Sequence, residues 1–538
     1  MLDLKNIIKQ KHVFFVFIFV LFVFLSILSY SVVSNSIDPD FGWHLRSGQL
    51  ILERGVPKID WYSYTMANFL WINHEWLTDV FIYKIYSLLG YAFLTAVFLS
   101  IYTLAFIILI KKDRFFYHLL PVCLGYLATL GFLGIRPQLF SVFFVAIILI
   151  ILNKFLENQS TKLIYFCPII FLIWANIHGG FIIGLLFIFL FLALEIFRKT
   201  KLFRKIISLR FFSGQKFIEP SIKKIKVLSV LFIFSIFFTF INPYGLRLYE
   251  EVFRTAIDSF LKFHIVEWMP LFSSSSFQYA IFKILYIGIF LGFLIVFYKK
   301  IDFDKIILSL MFLLFAISSQ RNFLIFTILT IPIFAELLFY YKNTEIPQQV
   351  KIIFGGFRKW IVALVVFGLF VYGFYPYFID NIRARNYNLY PEKAVGFLRT
   401  LPASKNLLNE YNWGGYLIWK LPERKVFIDG RMPSWRDNGQ FVFEDYIKIM
   451  KAQDEAKELL EKYNIRIVLL NKNKEEQAIK YINYQVEPKN QLMKFFEKNK
   501  WPCKVFGVCL PAKNIYNELT DSGWRIVYKD DVAIILER

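Results

Sequence analysis

HVFFVFIFVLFVFLSILSYSVV, residues 12–33, runs for 22 residues without a single Lys, Arg, Asp or Glu. As a helix, a run of that length crosses the hydrocarbon core of a bilayer, which needs about 20 apolar residues. It follows the basic stretch MLDLKNIIKQK and ends in SYSVVSNS. A secretory signal has a shorter apolar core and a small-residue cleavage site, so this segment reads as a retained first span. Further apolar runs follow at about 91–110, 115–134, 138–152, 163–177, 180–197, 227–241, 281–298, 305–319, 323–341 and 359–378. The expectation is therefore a polytopic α-helical membrane protein of about 11 spans.

Composition agrees with that reading. Of 538 residues, 57% are hydrophobic and 20% aromatic, above the 45–50% apolar content of soluble domains. The net charge of +22 would suit nucleic acid if it formed one patch. Instead the basic residues sit in short segments between apolar runs, where the positive-inside rule places Lys and Arg, so nucleic acid is not the partner. KKDR (Lys111–Arg114), YKKIDFDK and the segment Arg198–Lys226, with ten Lys or Arg and the single acid Glu219, all fall on one side when the spans alternate. With the basic N-terminus inside, that side is the cytoplasm. The location expected is the cytoplasmic (inner) membrane.

An odd number of spans leaves the C-terminus outside. From Asp380 onward the composition becomes that of a soluble domain. KNLLNEYN, KVFIDGR and IRIVLLNK read as short buried strands, and EDYIKIMKAQDEAKELLEKYN reads as an amphipathic helix. The expected division is a transmembrane domain, 1–379, with a first outer loop at about 35–90, and an extracytoplasmic α/β domain, 380–538. The four cysteines make no metal framework. Cys123 and Cys167 lie inside apolar runs and read as packing residues. Cys503 and Cys509 form either a small disulfide loop or two free thiols.

The polar residues then sort by side, and those with chemical capability gather outside. DPDFGWHLRSG, residues 38–48, leaves the first span directly. Asp38 precedes a proline and is therefore extended, so Asp38 and Asp40, two residues apart, face the same way. Such a pair can act as general base or hold a divalent cation; its other reading is an acidic cap on an interfacial helix. FGWHLRSGQLILERG forms that helix, with His44 and Arg46 available to an anion. WINHEWLTDVFIYKIYSLLG opens a second one, with Asn73 as its cap and His74 and Glu75 at its start. Arg136, His178, Arg247, His264, Glu267 and Arg321 stand at outer ends of other spans. An Arg near membrane depth pairs or binds an anion. GIRPQ, NIHGG and SQRNF each offer an Arg or His, which points to a shared anionic target.

A carboxylate just after the first span, a long outer loop with two interfacial helices and an outer C-terminal domain together resemble the GT-C glycosyltransferase superfamily, oligosaccharyltransferase-like members included. NHEWLTDVFIYKIYSLLGYAFLTAVF is similar to that family's H-P-P-L helix: His74 and Leu77 match, and Glu75 and Trp76 replace the prolines. DPDFGWHLRSG, IDWYSYT, NHEW, WANIHGG, NPYG, VEWMP, QRN and WGGYLIW…VFIDGR together resemble a bacterial branch of these proteins. NWGGY, Asn412–Tyr416, is similar to the W-W-D-Y-G acceptor motif but lacks its second Trp and its Asp, so peptide-acceptor recognition does not carry over.

The resemblance implies a polyprenyl-phosphate sugar donor, a glycolipid, glycan or protein acceptor, and a hexosyl- or pentosyltransferase. The catalytic acid position falls to Asp38 or Asp40, with substrate contacts at His44, Arg46, His74, Glu75, Arg136, His178 and Arg321. No second acidic metal motif appears in the later outer loops, and a divalent cation stays an open cofactor. Two other functions compete. A transporter or lipid-carrier translocase would place ionisable groups mid-span and show internal repeats; few ionisable residues lie mid-span and no repeat is seen. A non-catalytic scaffold on the same fold would explain the altered H-E-W-L and the incomplete acceptor motif.

Overall fold

The computed structural model describes residues 2–33, 37–157, 162–209, 215–217, 219–273, 277–343, 390–486 and 513–538. The predicted span 359–378 and the Cys503–Cys509 pair lie outside these residues. So does the first part of the predicted C-terminal domain.

Helices form wherever apolar runs leave the backbone no partner but itself, because a bilayer supplies no hydrogen bonds. They are α1 (Leu2–Val33), α2 (Phe41–Arg54), α3 (Trp76–Ile107), α4 (Phe115–Thr129), α5 (Gln138–Leu156), α6 (Cys167–Ile177) and α7 (Phe181–Phe197). There follow α8 (Lys201–Ile207), α9 (Ile222–Thr239), α10 (Arg247–Ile257), α11 (Ser259–His264), α12 (Phe277–Phe297), α13 (Phe303–Ser318) and α14 (Phe323–Asn343). Helices thus occupy each described position where a span was expected. Among the described residues, however, only five are long and apolar enough to cross a membrane, or six if the bent pair α7–α8 counts as one. Over the residues searched, Phe15–Tyr30 of α1 and Lys162–Ile177 fall short of that length. The count of 11 is not confirmed by these helices, and the span expected at 359–378 lies outside the described residues; apolar content does not by itself separate a full crossing from a short packed helix. The chain is multi-pass, and Phe19, Ile27, Ile233, Phe237 and Leu314 turn more than half of their surface outward, as lipid-facing side chains do.

The second interfacial helix is continuous with a span. α3 runs from Trp76 to Ile107 but breaks at Gly90, whose φ of 77° lies in the region only glycine enters freely. Asn73 is not the cap, which is Glu75. Instead Asn73 Oδ1 accepts from the Glu75 amide at 3.1 Å and Asn73 Nδ2 donates to Asp79 at 2.7 Å.

The C-terminal region builds a four-stranded sheet of β1 (Asn406–Asn409), β2 (Ile465–Asn471), β3 (Arg525–Lys529) and β4 (Ala533–Glu537), in the order β1-β2-β4-β3. β1 and β2 are parallel, with Leu408 opposite Val468; the other pairs are antiparallel. KVFIDGR is not a strand. Its backbone pairs with the first outer loop instead: the Val426 amide donates to the Tyr62 carbonyl (3.0 Å) and the Tyr64 amide to the Val426 carbonyl (3.2 Å). The long amphipathic helix is two, Val442–Met450 and Ala456–Lys462, separated where Ala452 takes a φ of 48°.

The buried apolar residues fall into two clusters. One fills the helical body; the other joins the sheet and its helices to Trp43, Leu50, Tyr62, Met66, Phe69 and Trp71 of the first loop. That loop and the sheet therefore share a core. Glycines set the spacing of the seam. A Cβ on Gly42 would stand 2.1 Å from the Gly415 carbonyl oxygen, and one on Gly415 2.2 Å from that of Pro39. On Gly430 it would stand 1.8 Å from Asp40 Oδ1. At such distances only glycine leaves the two backbones room to touch.

Candidate active site

Where the seam meets the ends of α5–α7 and α13–α14, the chain encloses a cavity of about 680 Å³. That is within the range of small-molecule sites. Asp38, Asp40, His44, His74, Glu75, Arg136, His178 and Arg321 all line it. Arg46 does not. It lies a further half-turn along α2 and donates from Nη1 to Gln49 Oε1 at 2.7 Å. Of the other outer polar residues, His264 and Glu267 reach the cavity and Arg247 does not.

One wall is acidic. Asp38 Oδ1 accepts from the Asp40 amide at 3.0 Å, and Asp38 Oδ2 accepts from Arg136 Nε. The same guanidinium donates from Nη1 to Glu267. Asp40 Oδ1 accepts from the Trp43 indole at 3.0 Å. Burial raises the Asp40 carboxyl to about 6 and the neighbouring Asp38 charge adds to the rise, while His44 opposes it.

Behind this wall lies a set of imidazoles around one carboxyl. His44 Nδ1 donates to Asp79 Oδ1 at 2.6 Å. Burial disfavours charge on His44, but the Asp79 carboxylate outweighs it and lifts the imidazole to about 9. Glu75 stands 3.9 Å from His44, 3.7 Å from His74 and 3.5 Å from His178. Burial pushes Glu75 up to about 7, with the His44 charge opposing. Burial, then Arg321, brings His74 down to about 4. His178 falls well below its ordinary value through burial and its neighbours His74 and Arg321. Its Nδ1 accepts from the Gly180 amide at 2.9 Å and lies 2.7 Å from Ser141 Oγ. A neutral imidazole has one donor and one acceptor nitrogen, so the His178 proton sits on Nε2, facing Glu75.

The Arg321 guanidinium lies 4.3 Å over the Trp268 ring. Among the described residues no carboxylate stands within 4 Å of it. The C-terminal region supplies a further wall through Tyr411, Gly430, Arg431 and Trp435. Arg431 is buried between Asp60 (2.8 Å) and Asp429 (2.6 Å) and flanked by Tyr62, Trp71 and Trp435. Its charge is consumed by these partners, and burial notwithstanding, Asp429 and Asp60 hold its proton more firmly than usual.

Local sequence did not single out Arg431, Asp79 or Tyr411. Arg431 was inside a quoted motif, IDGR, but read there as the end of a strand. Asp79 was visible five residues after His74, with nothing to show that it turns toward His44.

The residues present do not make a metal centre. Among the described residues no group of three or more His, Cys, Asp or Glu is arranged to hold an ion. The two carboxylates nearest one another on the acidic wall, Asp38 and Glu267, have Arg136 between them.

No known protein-family profile matches the chain, and no curated protein matches it. Among solved structures it is similar to the oligosaccharyltransferase of Archaeoglobus fulgidus tethered to an acceptor peptide containing the NVT sequon. There the identity is 12%, the match covers 86% of this chain and 70% of that one, and the TM-score is 0.48. The archaeal oligosaccharyltransferase AglB of the same organism, in complex with an inhibitory peptide and a dolichol-phosphate, matches at 12% identity over 86% and 70%, with a TM-score of 0.45. The complex with Zn and sulfate matches at 12% over 86% and 69%, with a TM-score of 0.44. Likeness this slight decides nothing about chemistry, which has to be read from this chain's own residues.

Proposed function

We propose that the chain is a membrane glycosyltransferase that moves a sugar from a polyprenyl-phosphate donor to an acceptor hydroxyl on a glycolipid, glycan or protein outside the cytoplasmic membrane. The observation that carries this reading is that one cavity is lined both by two aspartates, Asp38 and Asp40, and by the Arg321 guanidinium with the neutral imidazoles of His74 and His178 near it. Transfer from a sugar phosphate needs those two features and little else. A base must take the acceptor proton, and a cation must receive the phosphate as it leaves. The motif resemblance to the GT-C superfamily points the same way.

Asp40 is the better base of the two aspartates. Asp38 is committed on both oxygens, to the Asp40 amide and to Arg136, whereas Asp40 is held only at Oδ1 by Trp43 among the bonds described. A carboxyl near 6 is ionised at neutral pH and basic enough to accept a proton in the transition state. The acceptor oxygen bonds to the anomeric carbon as the bond from that carbon to the phosphate oxygen breaks. The acceptor proton passes to Asp40 and the electron pair stays on the phosphate, beside Arg321. His44, fixed by Asp79, backs the wall, and Glu75 orients His74 and His178.

The test is to replace Asp38 and Asp40 separately with Asn and to compare the surface glycan and glycolipid profile of cells carrying each variant. Loss of one product with Asp40→Asn, at normal protein level, supports the reading. An unchanged profile in both variants sinks it. Mass spectrometry of lipid co-purifying with the full chain then identifies the donor.

A further inference from the structure

Three separate segments converge on Arg136. Asp38 comes from the segment after α1, Arg136 from the GIRPQ turn between α4 and α5, and Glu267 from the VEWMP turn. The Glu267 turn is tied down independently, since its carbonyl accepts from Ser319 Oγ at 3.2 Å and the neighbouring Val266 carbonyl accepts from Gln320 Nε2 at 3.3 Å. Gly134 leaves the space for the pair, because a Cβ there would stand 3.0 Å from Asp38 Oδ2 and 3.3 Å from Arg136 Nε. Two carboxylates presented face to face by rigid turns at the rim of a cavity are what a divalent cation would require. Here the oxygens that such an ion would take are already accepting from Nε and Nη1 of one guanidinium.

We propose that Arg136 is the resident cation of this cavity, occupying the seat between Asp38 and Glu267 that a divalent ion would otherwise fill, so that the site works without a metal there. An ion entering would have to expel the guanidinium from both carboxylates and leave it partnerless in the cavity wall. Asp38 is the buried member of the trio, while Arg136 and Glu267 are partly exposed, so the cost of stripping the guanidinium falls mainly on the Asp38 pair. A guanidinium also presents its donors in a rigid fork that matches two carboxylates. It therefore sets their separation as a metal would, with a charge that no chelator removes. The inference concerns the same cavity as the transferase reading, but its test reads binding and not turnover, so the two can fail separately.

The test is titration of the full chain in detergent with Mn²⁺ alone, followed by electron paramagnetic resonance and calorimetry. Wild type is expected to show no binding that Glu267→Gln alters. Arg136→Ala is expected to gain one Mn²⁺ per chain, at least tenfold tighter than any wild-type binding, and to lose it again when Glu267→Gln is added. Arg136→Lys, which keeps the charge and is the milder change for folding, is expected to remain metal-free. A wild-type Mn²⁺ site abolished by Asp38→Asn or Glu267→Gln overturns the proposal. So does metal uptake by Arg136→Lys, or a folded Arg136→Ala protein that binds no ion. Should Arg136→Ala fail to fold, wild type against Glu267→Gln still decides the question.

Discussion

The helical body holds buried charges at both of its ends, and the two sets are built differently. At one end Arg198 lies 2.9 Å from Glu195 and 3.2 Å from Asp304, while Lys305 pairs with Glu336 at 2.8 Å. These groups tie α7, α13 and α14 together. At the other end of the same helices, roughly 25 Å away by the rise of the 17-residue α7, the charges surround a cavity instead of filling one. Buried charge alone therefore does not mark a working site. What distinguishes the second set from the first is the cavity onto which its carboxylates open.

The comparison breaks most directly at Asp40. Asp40→Asn is expected to lower transfer by about 10²–10⁴-fold, the usual contribution of a general base. In wild type the rate should rise with pH through about 6, because the base must lose its proton to act. A pH profile of kcat/KM that stays flat between pH 5 and 7 (about one unit either side of that value) would take Asp40 out of the role.

At the far end the expectation reverses. Arg198→Met should cost about 3–5 kcal/mol of stability by leaving Glu195 and Asp304 without their partner. It should leave activity per folded molecule unchanged. Thermal unfolding and specific activity, measured on one preparation, separate the two effects, and a fall in specific activity would erase the contrast.

Gly430→Ala sharpens the comparison within the site. Its Cβ would meet Asp40 Oδ1, the end of a side chain that can swing away. Activity should fall by about 10²-fold through misplacement of the carboxylate, with stability nearly intact. Gly414→Ala, whose Cβ would meet the Ile428 carbonyl at 2.3 Å, strikes backbone and should instead destabilise; equal thermal losses in the two variants would contradict this. The smallest effect is expected from Arg46→Ala. Its side chain reaches Gln49 and not the cavity, so kcat/KM should stay within about twofold of wild type, as for a surface change.

What the sequence made legible follows from range. Apolar runs announce helices because each turn of the pattern is local, and α3 to α7 and α12 to α14 stand where such runs predicted them. Ten of the polar residues that the sequence sorts to one side line one cavity, because that sorting used only the order of the spans. Arg46 was misplaced because i and i+2 lie on different faces once FGWHLRSG is helical, so it could not follow His44 inward. Arg431 and the backbone pairing of Val426 with Tyr62 and Tyr64 stayed hidden, since they join segments more than 350 residues apart. KVFIDGR has the composition of a strand, and nothing within it shows that its hydrogen bonds are spent on a distant loop. Likewise EDYIKIMKAQDEAKELLEKYN carries helical spacing throughout, and the break at Ala452 depends on packing rather than on pattern.

The glycine seam has a consequence for how the molecule comes into being. Thr65 of the first loop bonds the carbonyl of Phe427, and its own carbonyl accepts from Gln440, 375 positions later. At a synthesis rate of about 5–20 residues per second, the first loop waits roughly 20–75 s before its partner is made. Until then the aspartates face an open bay, without the roof that Gly430 and Arg431 provide. A chain halted before the sheet is made would own most of the described helices and both aspartates and still lack the part of the cavity lining that Tyr411, Gly430, Arg431 and Trp435 supply. The cavity therefore gains its full lining only once Lys451 has been made.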